Sequence, residues 1–146
     1  MVSKTNGGFL ISQVKQVSGR RFAKLLTQAG VDAFNGAQGR ILYVLWQEDN
    51  IPIAALSRQT GLAKTTLTGM LDRMEQGGLI TRGFDPADRR LIRISLTQQA
   101  QALRGAYQKV SADMNEIFYA GFSDGEILAF EAALRRILKN LDESGT

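Results

Sequence analysis

Residues 53–96 constrain the fold of this chain more than any other stretch, because helical and extended apolar patterns follow one another there with glycine breaks between them. Residues 53–60 form an apolar-periodic run that stops at Gly61, and residues 64–76 form a second run that stops at the glycine pair 77–78. Two helices joined by a turn of three or four residues that contains glycine form a helix-turn-helix. The spacing therefore predicts a helix-turn-helix, whose second helix would enter the major groove of DNA.

The second of these helices has an apolar side and a polar side. Its apolar residues recur at helical spacing and are predicted to face the core: Leu67, Met70, Leu71 and Met74. The opposite side, which includes Gly69, is small or hydrogen-bonding and can approach base edges closely. Its candidate DNA contacts are Lys64, Thr65, Thr66, Thr68 and Arg73. Arg73 lies one turn further on and could equally pair with its neighbours Asp72 and Glu75.

The residues after the second helix predict a β-hairpin with a basic tip. Residues 79–84 and 91–96 are β-prone runs with partial alternation, and a polar turn that contains proline separates them. A hairpin directly after a helix-turn-helix is a wing, whose arginines can reach phosphates or a narrow minor groove. The candidate wing residues are Arg89 and Arg90 at the tip, with Asp88 bracing Arg90, and Arg82 and Arg93 on the strands. Strand surfaces also carry arginines that contact nothing, so the last two stay open.

These segments together resemble the MarR family of transcriptional regulators. Residues 79–97, which include Asp88-Arg89-Arg90, are similar to the family's wing signature, and residues 62–75 resemble its recognition helix. The flanking helices match in number and order, so the resemblance spans nearly the whole chain. One departure is Ala63 near the start of the recognition helix, where serine or aspartate would satisfy free amide groups better.

The resemblance implies roles for particular residues. Asp88-Arg89-Arg90 falls on the family's Asp-x-Arg wing motif, so Arg90 takes the part of the braced arginine. Family members dimerise through their N- and C-terminal helices, and a cleft between these helices and the winged lobe often takes anionic aromatic compounds. The candidate ligand-binding residues for such a cleft are Phe22, Tyr43, Trp46 and Tyr107. Aromatic residues at helical spacing are also typical of a core, so both interpretations stay open.

Helical patterns flank the helix-turn-helix on both sides. An amphipathic run covers about residues 8–29, and a helix with capping-box spacing is predicted to begin at Asn35 and to run to about Glu48. After the wing, Thr97 is a candidate N-cap for one long helix. A second capping box at residues 123–126 is predicted to open the last helix.

The sequence therefore predicts a mainly α fold with a small β-hairpin wing. We divide the chain into an N-terminal dimerisation helix in residues 1–34, a winged helix-turn-helix lobe in residues 35–97, and C-terminal dimerisation helices in residues 98–146. The apolar faces of the outer helices favour a homodimer, because monomers rarely expose large apolar patches and two recognition helices suit a pseudo-palindrome. An all-intramolecular helical core is the alternative.

Composition narrows the function classes. The 146 residues contain no histidine and no cysteine, so the commonest general base, metal ligands and soft nucleophile are missing. We therefore expect no enzymatic activity, no metal and no cofactor. No apolar run approaches the roughly 20 residues that span a bilayer, and residues 1–8 lack the apolar core of a signal peptide. A cytoplasmic protein without membrane contact is expected.

Charge is unevenly distributed along the chain. Residues 1–50 and residues 51–97 each carry a net charge of +3, whereas residues 98–146 carry −2, within a total of +4. A basic centre suits a chain that meets phosphate through its middle, although a modest positive charge alone is also typical of an ordinary solvated surface.

These patterns predict a sequence-specific transcriptional regulator, expected to be a repressor, that binds double-stranded DNA as a homodimer at a pseudo-palindromic operator. The family resemblance implies that a small aromatic or anionic effector releases the DNA, and a regulator without any effector is the alternative. A non-specific nucleic-acid-binding architectural protein is the main alternative, since it would use the same basic wing without discriminating sequences. A protein-interaction module is a third candidate, disfavoured because burying the wing arginines unpaired would be costly.

Overall fold

Helices make up most of the chain in the computed structural model, which describes residues 4–31 and 36–143. In chain order the described elements are α1 Gly7–Gln28, α2 Gly36–Gln47, β1 Ile51–Pro52, α3 Ile53–Thr60, α4 Lys64–Gln76, β2 Ile80–Phe84, β3 Ile92–Leu96, α5 Gln98–Ala102, α6 Arg104–Phe118 and α7 Asp124–Leu141. This order confirms the predicted mainly α fold with a β-hairpin wing. The capping box predicted at Asn35 lies outside the described residues.

The helix-turn-helix consists of α3 and α4. The first of these helices ends at Gly61, whose φ of 75° lies in the left-handed region that glycine adopts without a Cβ clash. The four residues of α4 that were predicted to face the core are all buried: Leu67, Met70, Leu71 and Met74. Ala63 is the N-cap of α4 and contributes no side-chain hydrogen bond, as expected from its methyl group.

The wing belongs to a three-stranded antiparallel sheet with the strand order β1-β3-β2. The central strand β3 pairs with β2 along the predicted hairpin, where Arg82 lies opposite Ile94. The third strand, β1, pairs Ile51 with Ile94 and Pro52 with Arg93, and it was not predicted from the sequence. Two residues are too few to show an alternating pattern. Proline has no amide hydrogen to donate, and an edge strand such as β1 tolerates it because the missing amide can face solvent there.

The one long helix predicted after Thr97 is wrong, because α5 and α6 are separate helices with Leu103 between them. Thr97 is the N-cap of α5, as predicted, and its hydroxyl oxygen accepts from the Ala100 amide. The Ala100 carbonyl then accepts from the indole Nε1 of Trp46 at 3.1 Å and from the Leu103 amide at 3.2 Å. These bonds tighten the chain into a turn at this point and separate the two helices.

The outer helices leave a large apolar surface uncovered. No residue of α7 is buried, although the helix opens with the predicted capping box between Ser123 and Glu126. The exposed apolar side chains of α1, α7 and the end of α6, called here the outer apolar face, are Phe9, Leu10, Ile11, Val14, Val17, Ile117, Phe118, Phe122, Leu128, Ile137, Leu138 and Leu141. A wholly intramolecular helical core, the alternative considered for the sequence, is therefore wrong for this part of the chain.

Candidate nucleic-acid interface

The outward side of α4 is polar, small and open over its first turns. Lys64, Thr65, Thr66 and Thr68 are all exposed there. The Thr68 hydroxyl donates to the Lys64 carbonyl at 2.8 Å, so its oxygen can still accept a hydrogen bond. Because the N-cap supplies no side-chain acceptor, the first amide groups of the helix are available to an anion such as a phosphate.

The wing tip is built around a paired aspartate and arginine. The Nε of Arg90 donates to Oδ1 of Asp88 and its Nη2 donates to Oδ2, each at 3.0 Å, which confirms the predicted brace. The backbone amide of Arg90 also donates to Oδ1 at 3.0 Å. These hydrogen bonds lower the pKa of the Asp88 carboxyl, and the carboxylate in turn raises the pKa of Arg90. The pair therefore stays charged at neutral pH.

The base of the wing contains a second ion pair, which sequence reasoning missed. Asp85 is nearly buried, and its Oδ2 accepts from Nε of Arg93 at 2.6 Å. Its Oδ1 accepts from the amides of Ala87 and Asp88, which fixes the turn. Arg93 lowers the pKa of the Asp85 carboxyl most, with the Ala87 amide second. An aspartate that opens a turn was the one sequence signal for this arrangement.

Two arginines predicted as phosphate contacts are partly exposed and bind groups of the protein itself. Arg93 binds Asp85 and also donates from Nη1 to the Asn50 carbonyl at 2.6 Å, so it ties the wing to the segment before α3. Arg82 donates from Nη2 to Asp72 at 2.7 Å and to Glu75 at 2.8 Å. Both guanidinium groups are thus occupied in the free protein.

Arg73 and Arg89 are placed differently from those two arginines. The neighbours with which Arg73 could have paired, Asp72 and Glu75, bind Arg82 instead. Arg73 and Arg89 are both exposed, and neither forms an ion pair in the part of the chain that the structure describes. Both side chains are therefore available to an external anion.

The four aromatic residues predicted to line a ligand cleft do not line one cavity together. Trp46 and Tyr107 are buried, with ring centroids 4.9 Å apart, and Phe22 meets Tyr107 edge-on at 5.5 Å. Burial raises the pKa of the Tyr107 hydroxyl. Tyr43 is half exposed and shares a cavity of about 200 Å³ with Trp46 and Tyr107. These rings mainly form core, which is one of the two interpretations left open.

A larger cavity lies between α1, α2 and α6 and has a basic wall. Its volume is about 520 Å³, and Phe22 is the one predicted ligand residue that lines it. Among the described residues, Lys15 and Arg40 also line it, no carboxylate does, and neither cation forms an ion pair. An adjoining apolar groove of about 610 Å³ shares the wall residues Met114 and Phe118. The sequence offered no periodic signal for the two cations, because they lie on different helices.

The described part of the chain has neither a membrane-spanning helix nor a metal-binding cluster. Within residues 4–31 and 36–143 no helix is long and apolar enough to cross a membrane. Over the same residues no group of three or more histidine, cysteine, aspartate or glutamate side chains is placed to hold a metal ion.

Comparison with known proteins gives consistent matches in sequence and in structure. The model of the MarR family matches residues 34–92. The uncharacterized HTH-type transcriptional regulator YsmB of Bacillus subtilis (strain 168) is 31% identical over 126 residues, which cover 81% of this chain and 84% of that relative. A mutant MarR from E. coli, crystallised with operator DNA, superposes with a TM-score of 0.80 at 26% identity and covers 90% of this chain and 92% of its own. Reduced AbfR bound to DNA superposes with a TM-score of 0.71 at 28% identity, over 92% of this chain and 89% of its own.

Proposed function

The chain belongs to the MarR family of transcriptional regulators, and on that premise we propose that it binds double-stranded DNA as a homodimer at a pseudo-palindromic operator and acts as a repressor. One observation carries the proposal. The open, threonine-lined start of α4 and the wing tip with Arg90, whose side chain is 89% exposed, belong to one lobe in which α4 packs against β2. A helix of this kind reads base edges in the major groove while the wing reaches the neighbouring backbone or minor groove.

The residues divide between affinity and discrimination. Lys64, Arg89 and Arg73 supply charge toward phosphates, which gives salt-dependent affinity without sequence preference. Thr65, Thr66 and Thr68 can meet base edges, which gives discrimination. Arg90 is pre-oriented by Asp88 and is proposed to enter the minor groove at the flank of each half-site.

The outer apolar face supplies the dimer interface in this proposal. The helices that bear it, α1 and α7, lie in residues 1–34 and 98–146, which we propose as the dimerisation elements around a DNA-binding lobe in residues 35–97. Burial of apolar side chains is the main driving force of such association. A symmetric pairing places two recognition helices for two half-sites. Removal of residues 123–146 should therefore weaken operator binding together with dimerisation.

An anionic organic effector fits the basic cavity between α1, α2 and α6. Lys15 and Arg40 would hold the anion, and Phe22 would pack against the apolar part of the molecule. The cavity touches Leu62, in the turn before α4, so a bound molecule contacts both the outer helices and the DNA-binding lobe. An effector that prefers a spacing of recognition helices unsuited to DNA weakens binding by its differential affinity for the two states.

We propose no catalytic activity and no cofactor for this regulator, and a cytoplasmic location, where it meets DNA. The family is one of regulators of transcription, and the described residues offer no metal-binding cluster. A non-specific architectural role is not favoured, because the relatives named above are transcriptional regulators.

The test is a titration of fluorescent DNA from immediately upstream of the gene against scrambled DNA of equal length, at two salt concentrations. A preference of roughly 10³-fold for the native sequence supports a specific regulator. Equal binding to both duplexes with a steep salt dependence would overturn the proposal in favour of an architectural protein. The Arg90→Ala variant serves as the control, since it should lose most of the preference while it keeps the fold.

A further inference from the structure

The carboxyl-terminal half of α4 carries two carboxylates on a helix that is expected to approach DNA. Asp72 and Glu75 are about half exposed, with side-chain exposures of 51% and 40%. Carboxylates repel phosphates, so two of them on this helix would oppose DNA binding unless they have another task. Both carboxylates form ion pairs with Arg82 of the wing, which indicates a structural role for them.

Both carboxylates bind one atom of a wing residue. The Nη2 of Arg82 lies 2.7 Å from Oδ1 of Asp72 and 2.8 Å from Oε1 of Glu75. These contacts lower the pKa of Glu75, through the hydrogen bond from Arg82 first, and raise the pKa of Arg82. Glu75 and Arg82 therefore stay charged at neutral pH. The formal net charge of Arg82, Asp72 and Glu75 together is −1, whereas the two carboxylates alone would carry −2.

Arg82 stands at the base of the wing and faces the recognition helix. It lies two residues after the buried Ile80 on β2, so the two side chains point to the same face of the strand. Only 27% of its side chain is exposed. It pairs across the hairpin with the fully buried Ile94. The ion pairs therefore join strand β2 of the hairpin to α4.

Arg82 binds α4 near the base of the wing, so a small change in the angle between the wing and α4 displaces the tip of the wing. Residues rise about 3.3 Å each along a strand, so the tip lies roughly 15 Å beyond Arg82, and a tilt of about 10° would move the tip by about 2.5 Å. A displacement of that size exceeds the tolerance of a hydrogen bond. The position of Arg90 relative to the first turn of α4 thus depends on the angle between wing and helix.

We propose that Arg82 is a positioning residue for operator recognition. Its ion pairs with Asp72 and Glu75, called here the clamp, set the angle between the wing and the recognition helix. At that angle Arg90 and the first turn of α4 engage the same half-site. Arg82 acts through the two carboxylates and not by binding phosphate. The inference rests on the proposed DNA-binding function and replaces, for this residue, the phosphate contact expected from the sequence.

The decisive variant is Asp72→Asn with Glu75→Gln, which leaves Arg82 in place and adds two units of positive charge to the protein. Extra positive charge normally strengthens DNA binding. The clamp instead predicts that affinity for a duplex selected from a random library by the wild-type protein falls roughly tenfold, while affinity for a scrambled duplex stays equal or rises. The control is Glu48→Gln, which removes one carboxylate charge, as Asp72→Asn alone does, at an exposed position outside the clamp and should keep the preference.

A second arm distinguishes positioning from a direct contact. In an Arg90→Ala background, Arg82→Gln should change operator affinity by less than about twofold, because the group that the clamp positions is gone. A direct phosphate contact would still cost affinity in that background and would lower the slope of log affinity against log salt by about 0.9.

Each outcome is decisive for one of the two proposals. If the wild-type protein does not prefer its selected duplex, the proposed function fails. If it does, but the Asp72→Asn, Glu75→Gln variant binds that duplex as well as or better than the wild type, the clamp is overturned. The single variants Asp72→Asn and Glu75→Gln each keep one bond to Arg82 and replace the double variant if its unfolding midpoint shows that it does not fold.

Discussion

Asp88 holds Arg90 by two parallel hydrogen bonds of 3.0 Å each, while 89% of the Arg90 side chain remains exposed to solvent. An arginine at a hairpin tip would otherwise sample many rotamers, and ordering a long side chain on binding costs free energy. Asp88 therefore pre-orients the Arg90 guanidinium without burying it, and the guanidinium compensates the negative charge of Asp88.

The brace of Arg90 by Asp88 should strengthen operator binding. Asp88→Asn removes a negative charge near DNA, yet it should weaken operator binding roughly threefold to tenfold, because Arg90 loses its fixed orientation. Arg90→Ala should weaken it at least tenfold, and Asp88→Asn should add little in that background. Fluorescence anisotropy with operator and scrambled duplexes measures both effects. Tighter operator binding by Asp88→Asn would show that Asp88 acts only as a repelling charge.

Two glycines of the helix-turn-helix should respond in opposite ways to alanine. Gly61 has a φ of 75°, so Gly61→Ala should destabilise the fold by roughly 1–2 kcal/mol. Gly69 lies inside α4 with open space around its Cα, so Gly69→Ala should stabilise the fold by about 0.5–1 kcal/mol. Urea unfolding measures both changes.

Gly69→Ala should also separate stability from function. Its new methyl group lies on the side of α4 that is proposed to approach base edges, so operator affinity should fall although the fold becomes more stable. The same titration with Gln59→Ala, an exposed position on α3, is the control and should show no loss. An unchanged operator affinity for Gly69→Ala would place the bases further from this face of the helix.

The outer apolar face should be an interface between two copies of the chain. Leu138 is 67% exposed in one chain, so Leu138→Glu would be harmless in a monomer but should dissociate a dimer, because it places a charge in a desolvated contact. Light scattering after size-exclusion chromatography measures the mass. Lys139→Gln, next to it on α7, makes the same change of one charge unit and is the control. A wild-type protein that is monomeric at micromolar concentration contradicts this prediction.

The basic cavity should respond to the charge of an effector. Among a panel of aromatic and aliphatic carboxylates, each tested beside its neutral amide, only the carboxylates should release operator DNA. Lys15→Gln with Arg40→Gln should abolish this release and leave DNA affinity without effector within about twofold, since neither residue belongs to α4 or to the wing. Release by the amides as efficiently as by the acids would exclude these cations as the anchor.

The stability contribution of Asp85 should depend on pH. Its pKa in the folded protein is lowered from the usual 3.8, mainly by the hydrogen bond from Arg93. A group whose pKa is lowered in the folded protein stabilises the fold at pH values above its unfolded pKa. This stabilisation is lost as the pH falls through the folded pKa. The wild type should therefore exceed Asp85→Asn in unfolding free energy at pH 6 and lose that advantage progressively below about pH 4. Arg93→Gln should flatten this difference, and urea titrations across pH 3–6 measure it.

Local sequence determined the elements whose partners lie within a few residues. The helix-turn-helix, the hairpin and the capping box at Ser123 follow from periodicity, glycine breaks and cap spacing. The brace between Asp88 and Arg90 belongs to the same class, because two residues of a tight turn meet in any fold that keeps the turn. The family resemblance rested on these local segments, and the comparisons bear it out.

Tertiary packing decided everything that joins distant segments. Arg93 reaches the Asn50 carbonyl across 43 positions of the chain, and the indole of Trp46 reaches the Ala100 carbonyl across 54. Packing of this kind added strand β1, which the sequence did not predict, and divided a predicted long helix into α5 and α6. It also paired two predicted phosphate contacts, Arg82 and Arg93, with carboxylates of the protein itself. The physical reason is that a side chain's charge and hydrogen-bonding capacity are written in the sequence, whereas the partner that satisfies them is whichever group the packed fold brings within about 3 Å.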